Sequence, residues 1–193
     1  MKSINTYQIL LMTFFGTLGS IIIGFIFFDT IIFNYRTTGF QFIMSGVYGS
    51  LFFSLLEYKS LREQFFGIIF ILILHLLIFT GKHLTINYVI RDIIYLGGLF
   101  LSITLYHQYI SRNTHFKLYL RSLVLVVFYG IINTLFISIL QMIKTNAGFP
   151  PIGFIFTIGR ISVMVALGIG LGIDFYIQNS KQILKLLKLE NIK

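Results

Sequence analysis

Residues 152–177 read IGFIFTIGRISVMVALGIGLGIDFYI, and this stretch decides the fold. A helix needs about 20 mostly apolar residues to cross the hydrocarbon of a bilayer. Here a longer run carries only Arg160 and Asp174 as charges. Working outward, similar apolar runs recur at 8–33, 39–56, 65–80, 86–107 and 118–143. The first, fifth and sixth are long, and the third is short but almost purely apolar. The fourth is the weakest, because Arg91 and Asp92 interrupt its start. The expectation is an all-α integral membrane protein, a six-helix transmembrane bundle, with four or five spans as the alternatives.

Composition agrees. Of 193 residues, 56% are hydrophobic and only 11% charged, against roughly a quarter charged in soluble domains. Disordered chains are far less apolar. The chain has no Cys, which removes disulfides, thiolate metal sites and thiol catalysis together. Alanine is confined to Ala147 and Ala166 while Phe reaches 22, the bias of an AT-rich gene such as mobile bacterial elements carry. The run at 8–33 is too long for a signal peptide and has no small-residue cleavage site after it, so it reads as a retained helix.

Lys and Arg near span ends set orientation. With the amino terminus inside, cytoplasmic segments hold Lys2, Lys59, Arg62, Arg112, Lys117, Arg121, Lys181, Lys185, Lys188 and Lys193. Outer loops hold only Arg36, Lys82, Arg91 and Lys144. Both termini are expected in the cytoplasm of a bacterial inner membrane. The net charge of +9 then marks topology and attraction to anionic lipids rather than nucleic acid, since no basic groove interleaved with aromatic residues is present.

Small residues recur every four positions, the spacing that lets helices approach closely in lipid. Gly16, Ser20 and Gly24 form such a row in the first span, and Gly46, Ser50 and Ser54 in the second. The sixth carries Ser162, Ala166 and Gly170 beside a second row of Gly168 and Gly172. Paired rows on one helix can serve a neighbour in the chain and a second copy, so a homo-oligomer is expected.

Charges at membrane depth are costly and are usually paired or functional. Arg160 lies about 12 Å below the outer end of its span at 1.5 Å per residue. Asp29, Arg91 and Asp92 fall in the same outer half, with Asn133 and Thr134 deeper. They form a candidate ligand, ion or gating cluster, or else an ion-pair lock. Glu57 reads as a solvated partner of Lys59 and Arg62, and Asp174 as the partner of an Arg in a neighbouring loop.

No metal-ligand spacing, phosphate loop, dinucleotide fingerprint or paired acids appear. His75 and His107 differ in depth, which argues against haem. The expectation is a non-enzyme without cofactor or metal.

Residues 1–178 are therefore expected as the bundle and 179–193 as a short, basic, amphipathic cytoplasmic helix. In it Lys181, Lys185 and Lys188 share a face, with Ile183, Leu184, Leu186 and Leu187 mostly opposite; Lys181, Lys185, Lys188, Leu184 and Leu187 are the candidates for partner contact, and an interfacial helix on anionic lipid is the plainer reading. The function expected is an accessory subunit that responds to envelope disturbance and engages a cytoplasmic partner. Membrane subunits of phage-defence systems and immunity proteins against pore-forming toxins are of this general type. The alternative is a small transporter or channel, or the substrate-binding membrane subunit of an importer, with an outward-facing charged site.

Overall fold

The structure, a computed structural model, describes residues 2–34, 36–80, 86–108, 118–145 and 150–187. Within these, some helical residues are described by backbone alone. Six helices follow one another: α1 (Lys2–Asn34), α2 (Arg36–Tyr58), α3 (Leu61–Thr80), α4 (Ile86–Tyr106), α5 (Leu118–Thr145) and α6 (Ile152–Leu186). No strand occurs among the described residues.

Local chemistry sets the ends. Helix α3 starts ahead of the apolar run because Ser60 and Glu63 form a capping pair. The backbone N–H and hydroxyl of Ser60 donate to Glu63 Oε2 at 3.1 and 2.9 Å. Helix α6 follows Pro150 and Pro151. Pro151 is extended at ψ 141°, and its carbonyl accepts from Phe154 N at 2.9 Å. From there α6 runs unbroken for 35 residues, so the segment after Ile177 continues the sixth helix through Leu186.

Helix α1 packs between α2 and α6, α6 continues onto α5, α5 onto α4, and α4 touches α2, which closes a ring. Helix α3 rests outside this ring against α2 and α4.

Polarity is inverted relative to a protein in water. Phe14, Ile26, Phe70 and Phe156 are 59%, 63%, 60% and 74% exposed, while Ser50, Ser54, Ser102 and Asp174 are wholly buried. Water would penalise that outer surface, and lipid would not. Several interior hydroxyls bond to their own helices, which keeps polar groups satisfied in lipid. Ser54 Oγ donates to Ser50 O at 2.6 Å, Ser102 Oγ to Gly98 O at 2.7 Å, and Thr17 Oγ1 to Thr13 O at 2.7 Å. Three described stretches are long and apolar enough to cross a membrane: Thr6–Phe27, Val124–Met142 and Ile152–Leu186. In α4 the apolar stretch is the shorter Leu96–Tyr106.

The tightest contact joins α1 to α6 backbone to backbone. A Cβ at Gly168 would stand 2.8 Å from the Ser20 nitrogen, and one at Gly172 would stand 2.8 Å from Gly16 Cα. On the other flank of α1, a Cβ at Gly46 would meet Ser20 Cβ at 2.9 Å and Thr17 Cα at 3.2 Å. The small-residue rows of α1, α2 and α6 thus meet one another inside the chain.

Gly172→Ala is expected to destabilise the bundle by about 1–3 kcal/mol, since backbone must move to admit the methyl. Gly97→Ala, where an added Cβ meets nothing within 4 Å, is expected to be neutral or slightly stabilising. Thermal unfolding of both variants in one detergent checks the contrast.

Candidate functional site

Inside the ring, the side-chain bridge between helices centres on Asn133. Its Nδ2 donates to Ser162 Oγ at 2.6 Å, and Ser162 in turn donates to Ile158 O at 2.8 Å. Asn133 is only 3% exposed, and its Oδ1 has no hydrogen-bond partner among the described residues. That oxygen faces α4, where a Cβ on Gly98 would lie 3.4 Å away. Thr134 beside it faces Gly159 of α6 at the same separation. Asn133 therefore joins α5 to α6 and lies against α4. Toward the other end of α5, the seam lined by Leu99, Ile103, Leu125, Tyr129, Ala166 and Ile169 has no room for a water molecule.

Arg160 is exposed, and its Nη2 donates to the carbonyl of Phe27 on α1 at 3.4 Å. The side chains of Asp29, Arg91 and Asp92, expected to join Arg160, lie outside the described residues, although their backbones belong to α1 and α4. Of the expected outer cluster, the structure therefore places Arg160 at α1 and Asn133 in the core.

Gly16, Ser20, Gly24, Gly168, Gly170 and Gly172 are all buried. Gly168 and Gly172 lie on α1. The neighbouring row turns toward α5, where Ser162 meets Asn133 and Ala166 lines the seam with Tyr129. Both rows of α6 are thus occupied within one chain. Ser50 packs on Gly16 of α1, whereas the His75 ring stands edge-on to Tyr48, centroids 5.4 Å apart.

At the end of the bundle where α2 and α4 terminate, the pairing differs from the expected one. Glu57 does not pair with Lys59 or Arg62. Its Oε2 lies 2.9 Å from His107 Nε2, fifty positions away. The His107 side chain is 5% exposed and Glu57 45%, so the pair has a buried half and a wet half. Phe53 stands edge-on to the imidazole at 5.6 Å, and residues 107–108 form a wider π-helical turn after α4. Such turns are frequent at functional positions. Burial, then the negative Glu57 beside it, pushes the Tyr58 phenol up from its ordinary value.

The freed Lys59 bonds Glu63 Oε1 at 3.2 Å instead. The Ser60 backbone N–H, its hydroxyl, and Lys59 together hold the Glu63 carboxyl below its ordinary value. The signal for Glu57–His107 was depth rather than spacing, since both stand at inner ends of their spans in the charge-based topology.

At the tail, Lys181 and Lys185 are exposed and Leu184 is half-buried. Leu187 is 50% exposed and Leu186 81% exposed. Ile183 packs back on the core. Lys188 lies outside the described residues.

Fold and polarity together define the class, an all-helical protein with apolar helices suited to a membrane and small or polar groups turned inward. Comparison with protein families, curated proteins and solved structures finds no match.

A double-mutant cycle on Asn133→Val and Ser162→Ala is expected to give a coupling of about 0.6 kcal/mol, the average for such bonds between membrane helices. Unfolding in mild detergent or bicelles measures it. Because the folded Glu63 carboxyl sits below its unfolded value, its contribution to the turn is full above the unfolded value and is lost as pH falls through the folded one. The Ser60 amide resonance, followed by NMR through that acidic window, is expected to shift in wild type and not in Glu63→Gln.

Proposed function

We propose that the chain is a non-enzymatic subunit of a bacterial inner membrane. In this reading all six helices lie in the bilayer, both termini are cytoplasmic, and a cytoplasmic partner docks on the end of α6. The observation that carries this reading is the continuity of α6. The helix passes from the ring, through Tyr176 packed beside Phe15 at 6.0 Å between centroids, to a last turn where Lys185, Leu186 and Leu187 are exposed. Exposed leucines beside lysines on a helix suit a groove with an apolar floor and an acidic rim. The connection between α2 and α3 is only Lys59 and Ser60, too short to hold a separate domain.

A response to envelope disturbance fits the same geometry, because α6 contacts both α1 and α5 and ends at the docking surface. The small-residue rows of α6 are occupied within the chain, and self-association is not part of the proposal.

Two variants test it in cells that produce the tagged full chain. Deleting 180–193, or combining Lys181→Glu with Lys185→Glu, is expected to abolish recovery of the partner and the phenotype that depends on it. With the two lysine changes, the melting temperature of the purified bundle should stay within about 2 °C, as for surface changes. An unchanged phenotype overturns the reading, as does a carboxyl-terminal reporter that faces the periplasm. Loss of solute uptake, with the same partner still recovered, favours the importer alternative instead.

A further inference from the structure

We infer that the turn from α2 into α3 is a binding site for an anionic phospholipid, with Arg62 the ligand of its phosphate and Leu61, Phe65 and Phe66 the seat for the top of its acyl chains. The inference rests on the membrane placement proposed above, which puts this turn at the cytoplasmic leaflet.

The turn is built rigidly. Glu63 holds the Ser60 N–H, the Ser60 hydroxyl and Lys59, and Gln64 Nε2 donates to Lys59 O at 2.8 Å. Lys59 is consequently neutralised by Glu63, and Glu57 is engaged by His107. Of the two cations of the turn, Arg62 is the one not paired with a carboxylate among the described residues. Its guanidinium carbon stands 5.8 Å from the centroid of the Phe66 ring, which orients it along the outer side of α3.

Around it lies an apolar surface that no other described part of the bundle covers. Leu61 is 83% exposed, and Phe65 and Phe66 are each more than half exposed. This patch runs directly into the outward face of α3 at Phe70, Ile73 and Leu77, the face that lies in hydrocarbon in the proposed placement. Phenyl rings at the hydrocarbon boundary with a cation just above them match the layering of a lipid, acyl chain below and phosphate above. A guanidinium offers a planar fork of donors that fits a phosphate. Charge complementarity and continuity with the hydrocarbon-facing surface both select an anionic lipid, rather than a soluble protein, as the occupant.

The test uses the full chain in mild detergent, titrated with phosphatidylglycerol, phosphatidylcholine or inorganic phosphate, with bound lipid read by native mass spectrometry and stability by thermal shift. Phosphatidylglycerol is expected to bind and stabilise more than phosphatidylcholine, and inorganic phosphate is expected to have no effect. Arg62→Gln is expected to weaken phosphatidylglycerol binding about fivefold, the value of one cation at an anionic surface. Lys59→Gln combined with Glu63→Gln, which removes the ion pair without changing the net charge, should change it less than twofold. Equal binding by Arg62→Gln and wild type overturns the inference, as does equal binding of both lipids or an equal effect of phosphate alone. Thiol labelling of Ser60→Cys in intact cells tests the placement separately. Periplasmic labelling would defeat the topology, while the detergent titration still reports on the site itself.

Discussion

The approach of α1 to α6 is the constraint on which the bundle depends. Between helices in lipid there is no hydrophobic force, so cohesion comes from dispersion and polar contacts at short range. Gly168 and Gly172 let the α6 backbone come against Phe15, Gly16, Gly19 and Ser20 with no side chain between them. Once α1 and α6 are fixed, α2 docks by Gly46 and Ser50 on the other flank of α1. Helix α5 docks on α6 through Asn133 and Ser162. The α1, α2, α5 and α6 contacts thus rest on small residues and one amide, while many leucine, isoleucine and phenylalanine side chains face outward.

That division explains which interior residues are large. Tyr48, Tyr106, Tyr129 and Tyr176 fill the space away from the glycine seam. Phe52 and Phe100 meet at 4.5 Å between centroids where α2 and α4 touch. Glu57 and His107 fasten the same two helices at one end. Among the described residues, α3 shows no row of glycines against a neighbour, and it meets α2 through Leu55 over Gly67 and Tyr48 against His75.

How much of this was legible depends on whether the signal is local. The six helices were readable because apolar runs are contiguous, and the start of α3 differed by one turn because its capping pair Ser60 and Glu63 is polar. The rows Gly16/Ser20 and Gly168/Gly172 were readable as periodicity, but period alone does not say which helix each row meets. Pairing in sequence misled at Glu57, where near neighbours Lys59 and Arg62 were the expected partners. Lys59 is held by Glu63 one helical turn on, and only the packing of α2 against α4 brings His107 within reach. Asn133 was legible as a polar group in a greasy span, yet Ser162 as its partner followed from the register of α5 on α6.

The unbroken course of α6 has a mechanical corollary. Thirty-five residues at 1.5 Å each make a rod about 50 Å long. It has no proline beyond its first turn and no interruption at the mid-span glycines, which are stiffened by α1 lying directly on them. Pivoting at that seam, the rod acts as a lever with unequal arms. A small tilt imposed near Arg160 must reappear, reversed in direction, at Leu186.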